Sequence, residues 1–341
     1  MSEIKADALR RQLKSGQLDR CYLLWGKEHY LQEYYSRELR KTVLGGEDDP
    51  FNLRRLDGKN LDLQELADAV DAYPSFAEKA LVELRDYDPF QLPEEECKRL
   101  FAILGDLPEY CCLVFLYDTV EFKPDKRKKK LWEQLNQLAT LVEFPLQEQS
   151  DLIRWVQKHF SARGKEITAE DAAYLLFLCG TQMENLTNEI GKVAVYTADR
   201  QVRREDIDAV AVPIVEAQTF KLTDALARKE FDQAAELMYK LFQLNTEPVA
   251  INAMIGSQLR KLYAARLVKE AGGTASTLTQ MGGGSSDYAS RQNLRICTAF
   301  PEEWYLRMIR LSAETDFRMK TSQGDPEDLL RSLFVTMAAE A

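Results

Sequence analysis

The sequence predicts an α/β domain built on a parallel sheet, followed by two all-helical domains. Two observations carry this. Up to Pro145, short apolar runs of strand length alternate with stretches of helical period, the signature of βαβ units. Beyond Pro145 every periodic segment is helical and no strand stands out. A chain of 341 residues exceeds one ordinary domain. Pro145 and Pro213 are the predicted boundaries, giving domains 1–145, 146–213 and 214–341.

In order, Cys21–Trp25 is an apolar run ending at Gly26, followed by an amphipathic stretch from Glu28 to Val43 closed by Gly45-Gly46. Phe51–Leu56 alternates and stops at Asp57-Gly58. Asn60 is placed to cap a helix bearing Leu63, Leu66, Ala67, Val70 and Tyr73 on one face, ended by Pro74. Ala80–Leu84 is a third strand, and a helix over Glu94–Ile103 leads to the strongest one, Cys111–Tyr117. A helix from Lys126 to Leu138 and the strand Leu141–Phe144 complete the sheet. The helical segments that follow are Asp151–Phe160, Ala169–Cys179, Glu184–Tyr196 and Glu205–Val210. Thr168 with Asp171 resembles a capping box, and Gly180 suits a helix end. After Pro213 come Phe220–Arg228, Asp232–Phe242, the long Pro248–Glu270, and helices over Pro301–Phe317 and Pro326–Ala339. The glycine-rich stretch Gly272–Ser286 is expected to be a flexible loop.

Net charge is -10, so the overall field does not favour nucleic acid; contact with DNA needs a local basic patch or a partner. The six cysteines form no C-x-x-C pair, and several sit in apolar runs, which points to a reduced, cytoplasmic setting. The N-terminus is polar, and no run of eighteen apolar residues occurs, so no membrane contact is expected.

A nucleotide-hydrolysing α/β domain sends its first strand into G-x-x-x-x-G-K-[ST], whose amides surround the phosphates. Here that strand runs into Gly26-Lys27-Glu28-His29-Tyr30-Leu31, with no second glycine and no Lys-Ser/Thr pair. Glu28 brings negative charge to where a phosphate belongs. Asp118 ends the strand Leu113–Tyr117 as a metal-binding acid does, but Thr119-Val120 follows where a catalytic acid is needed. With His29 and His159 as the two imidazoles, neither a Ser-His-Asp site nor a zinc site is expected. No catalytic residue, cofactor or metal is assigned.

Glu94-Glu95-Glu96 fits a solvated helix N-terminus, where the macrodipole favours acids. The densest basic run, Asp125 to Lys130, is either a solvated helix start or a contact for phosphate or an acidic partner through Lys126, Arg127, Lys128 and Lys129. Arg260 and Lys261, with Arg266 and Lys269, give a milder positive face. Neither run is interleaved with aromatics, so base stacking is not indicated. Tyr73-Pro74-Ser75-Phe76-Ala77 joins a helix to a strand. Its aromatics either tuck into the core or form an exposed anchor for a partner's pocket, and both readings stand because periodicity stops at the proline.

The order of these motifs resembles the delta subunit family of the bacterial DNA polymerase III clamp loader along nearly the whole chain. Tyr22-Leu23-Leu24-Trp25-Gly26-Lys27-Glu28-His29-Tyr30-Leu31 is similar to the family's strand–Gly–x–Glu–x–Tyr–Leu start. Phe51-Asn52-Leu53 through Leu56-Asp57-Gly58, Asp125-Lys126-Arg127-Lys128-Lys129 and Val142-Glu143-Phe144-Pro145-Leu146 also match. Asn185-Leu186-Thr187-Asn188-Glu189-Ile190 resembles the family's Leu-x-Asn-Glu-Leu helix, and Glu314 to Thr321 its Ala-Asp-x-x-Leu-Lys segment.

The resemblance implies an AAA+ (P-loop-NTPase-like) first domain without a functional phosphate loop, a small helical lid, and a helical collar. The collar joins a ring with delta-prime and tau/gamma subunits, which bind and hydrolyse the ATP. Delta grips the beta sliding clamp and opens it for placement around primed DNA; polymerase (nucleotidyltransferase) activity belongs to the holoenzyme. In the family the grip comes from two adjacent apolar residues after a first-domain helix, matched here by Ser75 and Phe76. Ser75 departs from the usual Leu or Phe, which leaves the register open and brings in Tyr73 and Pro74. Delta-prime fits less well, since its cysteine-rich zinc module and Ser-Arg-Cys motif do not appear. The alternatives are an AAA+-type NTPase with an atypical nucleotide site, or a helical adaptor unrelated to replication.

Overall fold

The computed structural model describes residues 6–341 except 47, 48, 121, 124, 126, 244–246 and 285. It forms two compact units, one up to residue 147 and one from residue 148 on. The first contains α1 (Ala6–Ser15), β1 (Cys21–Gly26), α2 (His29–Leu44), β2 (Leu53–Asp57), α3 (Leu63–Asp71), β3 (Ala80–Arg85), α4 (Glu94–Gly105), β4 (Cys111–Leu116), α5 (Lys129–Leu138) and β5 (Thr140–Phe144).

The strands form one parallel sheet in the order β2-β3-β4-β1-β5. A parallel sheet is covered on both faces, which is why its central strands are continuous apolar runs. Tyr22, Leu24, Val114 and Leu116 bury one face with Leu39 and Tyr35 of α2 and Leu9 of α1. Leu23, Val82, Leu84, Leu113 and Phe115 bury the other with Leu66 of α3, Leu100 of α4 and Leu135 of α5. The edge strand β2 is only half-buried and carries Arg54 and Arg55, charges that discourage further pairing.

One polar cluster interrupts the first face. Glu83, at the middle of β3, is fully buried and is held by Arg40 of α2, whose Nη2 lies 3.0 Å from Oε2 and whose Nε also donates to Oε1. Ser36 Oγ donates to Oε1 at 2.8 Å, and Arg55 Nε lies 3.4 Å from Oε2.

The second unit is helical: α6 (Gln149–Ser161), α7 (Ala169–Cys179), α8 (Met183–Tyr196), α9 (Arg204–Val210), α10 (Val215–Ala227), α11 (Phe231–Gln243), α12 (Pro248–Glu270), α13 (Ala275–Gln280), α14 (Asp287–Ile296), α15 (Glu302–Lys320) and α16 (Pro326–Ala339). Helix α12 packs closely on α15: a Cβ on Gly256 would sit 2.6 Å from Ser312 Oγ, and Asn252 Nδ2 donates to Ser312 O at 2.9 Å. Residues on the two sides of Pro213 share packing. The Ile214 amide donates to Leu178 O at 2.8 Å, and Phe177 meets Phe220 edge-on at 5.2 Å.

Three expectations need correction. The cap of α3 is Asp62, whose side chain accepts from the Gln64 amide, while Asn60 belongs to a 3-10 turn, Gly58–Asn60. The helix expected from Lys126, itself outside the described residues, begins at Lys129; ahead of it Asp125 accepts from the Arg127 amide through its side chain and from the Lys128 amide through its carbonyl. Gly272–Ser286 contains α13 and is tied down rather than free, apart from Ser285, which lies outside the described residues. Leu278 is buried, and Asn293 Nδ2 donates to Gly283 O at 2.9 Å. Its glycines permit close approach: a Cβ on Gly283 would lie 2.0 Å from Leu278 Cδ1.

Candidate functional site

The turn leaving β1 is built around Gly26, at φ +124, where a Cβ would lie 2.3 Å from Phe144 O of β5. Only glycine fits. The Glu28 amide donates to Phe144 O at 3.0 Å, and Gln32 Nε2 donates to Gly26 O at 2.9 Å. These groups serve the sheet instead of facing an anion. The Glu28 side chain is itself buried; burial raises its pKa, while the Tyr30 amide and His29 pull it down.

The acid at the exit of β4 is also engaged. Asp118 pairs with the Arg85 guanidinium, which reaches Glu33 of α2 at 2.6 Å. Behind it Asp86, at φ +58, accepts from the amides of Asp118 (2.8 Å), Thr119 (3.0 Å) and Val120 (3.1 Å) and from the Thr119 hydroxyl. A magnesium triphosphate needs outward-facing amides, a free lysine and a free acid. An acid at Glu28 and a guanidinium on Asp118 do not fit one.

Burial alone would raise the Asp86 pKa, but the Thr119 hydroxyl and three backbone amides bring it down to about 2. A depressed carboxyl contributes stability above its unfolded value near 4 and loses it as pH falls towards 2. Asp86→Asn is expected to cost about 2 kcal/mol at pH 7 by urea unfolding. The gap between parent and variant should close as pH drops from 5 to 2; a gap independent of pH contradicts this assignment.

The loop after α3 is where exposed apolar surface gathers. Tyr73 is 80% exposed, its ring stacked on Tyr110 at 4.8 Å, and Tyr110 Oη donates to Asp71 O at 2.7 Å. Phe76 stands at 110% of reference exposure, with φ +56, a backbone region that non-glycine residues rarely occupy. Pro74 is half-buried and Ser75 exposed. Phe51, 72% exposed, adjoins this loop through its neighbour Asn52, which hydrogen-bonds the Ser75 backbone. Of the two readings left open for Phe76, burial in its own core is the one the structure rejects. In the sequence Phe51 and Asn52 stand out only as part of an alternating strand and a family motif, and Tyr110 not at all; nothing local links any of them to residues 73–76.

The basic candidates are largely used internally. Lys126 lies outside the described residues. Arg127 forks onto Asp125 at 3.0 and 3.1 Å, Lys128 Nζ donates to Phe90 O, and Lys129 lies 3.7 Å from Glu133. Arg260 is exposed and Lys261 half-buried on α12, and neither has an ion pair among the described residues.

Two family models match this chain. Residues 22–145 match "DNA polymerase III, delta subunit" and residues 216–337 match "DNA polymerase III delta subunit, C-terminal domain", together well over half its length. The chain belongs to the DNA polymerase III delta subunit family. This delta-family chain is 26% identical over 337 residues to DNA polymerase III subunit delta of Bacillus subtilis (strain 168), covering 95% of this chain and 94% of that one. It is 22% identical over 263 residues to the probable DNA polymerase III subunit delta of Aquifex aeolicus (strain VF5), covering 74% and 73%. A solved structure, the Bacillus subtilis DNA clamp loader delta protein (YqeN), superposes with a TM-score of 0.59 at 22% identity, covering 98% of this chain and 99% of that chain, and shares the fold. The family supports a role in replicative clamp loading.

Proposed function

We propose that this chain is the clamp-gripping delta subunit of a DNA polymerase III clamp loader. It binds the sliding clamp through Tyr73, Pro74, Ser75 and Phe76 and favours the open ring. The observation that carries this is Phe76, an aromatic side chain wholly in solvent on a loop hydrogen-bonded back to the sheet. With Tyr73 (80% exposed) and Phe51 (72% exposed) nearby, it gathers aromatic surface on one side of the domain, the residue type enriched at the hot spots of protein interfaces. The stacked Tyr73 offers the second apolar contact that Ser75 cannot supply. Opening then follows from tighter binding to a strained clamp than to a closed one, since a ligand shifts an equilibrium only through differential affinity.

In this proposal the chain is a passive member of an ATP-driven assembly whose ATP is bound by delta-prime and tau/gamma partners; the Gly26 turn, with the Glu28 amide donating to Phe144 O, supports the reading. Residues 146–213 serve as the lid and 214–341 as the collar that joins those partners. Leu306 and Phe317 on α15 and Val335 on α16 are exposed apolar residues suited to such a contact. Arg260 and Lys261 are free to meet phosphates of primed DNA once the complex forms. The setting is the bacterial cytoplasm; among the described residues no helix is long and apolar enough to cross a membrane.

Two measurements test this. Incubated with its cognate clamp, the full chain is expected to form a complex stable to gel filtration and to speed release of clamp from circular DNA. Absence of both ends the proposal. In reconstitution with the other loader subunits, Phe317→Asp is expected to weaken co-elution about tenfold or more, the scale of a hot-spot loss. Undiminished co-elution removes Phe317 from the collar contact.

A further inference from the structure

Among the described residues Phe76 has no packing partner, yet its loop is not loose. We propose that Asn52 is the positioning residue that presents Phe76 to the clamp, a role that rests on the docking function proposed above. Asn52 is 2% exposed although it follows the exposed Phe51. Its carboxamide brackets one residue of the loop: Oδ1 accepts from the Ser75 amide at 2.6 Å, and Nδ2 donates to the Ser75 carbonyl at 3.0 Å. The orientation of that carboxamide is itself set. Nδ2 also donates to Asp49 Oδ2 at 2.7 Å, while Asp49 Oδ1 accepts from the amides of Phe51 (3.0 Å) and Asn52 (3.1 Å).

The geometry needs a side chain with a donor and an acceptor side by side, which a primary amide provides and a carboxylate or an alkyl group does not. Both backbone groups of Ser75 are thereby fixed one residue before the chain turns into the left-handed region at Phe76. The loop's other tethers act earlier. Arg54 reaches the carbonyls of Ala69 and Tyr73 at 3.3 and 3.4 Å, and Tyr110 holds Asp71 and Tyr73. Among the described residues Asn52 is the tether that acts directly before Phe76. It pre-organises the anchor, so that ordering the loop is not charged against binding.

The test is a double-mutant cycle of Asn52→Ala and Phe76→Ala in the full chain, read as affinity for the cognate sliding clamp. Asn52→Ala alone is expected to weaken binding about tenfold, and to change it less than about twofold once Phe76 is already alanine. A loss equal on both backgrounds, or no loss on either, overturns the positioning role, because a general effect on folding is indifferent to residue 76. If Phe76→Ala itself leaves affinity unchanged, the docking function fails and this role falls with it. Should Asn52→Ala not fold, the uncharged Asn52→Ser, which sets no second anion beside Asp49, enters the same cycle, with an expected loss of about tenfold that again disappears once Phe76 is alanine. Amide exchange on the parent chain gives an independent reading. The Ser75 amide is expected to exchange at least about tenfold more slowly than those of Phe76 and Ala77, and equal rates overturn the bracket.

Discussion

Phe76→Ala is expected to lower the affinity of the isolated chain for its sliding clamp about thirtyfold or more, with no loss of folded stability. The two halves of this result come from one fact. At 110% of reference exposure the ring touches nothing in its own domain, so truncating it opens no cavity. In the complex the same ring fills a pocket, where an aromatic anchor contributes about 2 kcal/mol or more. The positive φ at this position strains phenylalanine and alanine alike, so the backbone adds no difference. Surface plasmon resonance and a urea titration on the same samples separate the effects. Phe115, fully buried in β4, is the contrasting control: Phe115→Ala costs stability by about 3–5 kcal/mol through its cavity.

Arg40→Ala is expected to be more damaging to the fold than any other single change at the sheet's polar cluster, by about 3 kcal/mol or more. Glu83 is fully buried, and among the described residues Arg40 is the partner that grips it with two prongs. Removing the guanidinium leaves a carboxylate in a low-dielectric site with Ser36 and the more distant cations Arg55 (3.4 Å) and Arg85 (3.9 Å). Replacing both members at once, Arg40→Met with Glu83→Gln, should recover most of the loss, since an ion pair taken out whole no longer leaves an unpaired charge. Urea unfolding of the single and double variants checks this. A single-variant loss below about 1 kcal/mol shows that Arg55 and Arg85 suffice to neutralise Glu83.

The sheet was legible because parallel strands buried on both faces are largely apolar, as Cys21–Trp25 and Cys111–Tyr117 are throughout and Ala80–Leu84 is apart from Glu83. The glutamate inside Ala80–Leu84 was visible but unexplained, since its partner Arg40 lies on a helix 43 residues away. Helix ends shifted where several polar residues compete for one role, as Asn60 and Asp62 did at α3. Three helices went unseen: α1, α13 within the expected loop, and α14. In α1 only Leu9 is buried, and α14 follows glycines that look like a linker until their packing against Leu278 and Ser290 is known.

At the site, local and distant information divide in the same way. The poor fit of Gly26 to Leu31 to a phosphate loop can be read as a string, because that loop is a contiguous motif. That Arg85 occupies Asp118 cannot, as 33 residues separate them. Exposure of Phe76 depends on Asn52, 23 residues before Ser75 and on another element, so neither periodicity nor propensity bears on it.

The most direct measurement is calorimetric titration of the isolated chain with its cognate clamp, in the presence and absence of magnesium ATP. We expect the same affinity, within about twofold, in both conditions, and no heat from ATP alone, because the Gly26 turn offers its Glu28 amide to Phe144 and Asp118 is held by Arg85. Micromolar ATP binding, or clamp binding that appears only with ATP, contradicts a chain that grips the ring without using nucleotide itself.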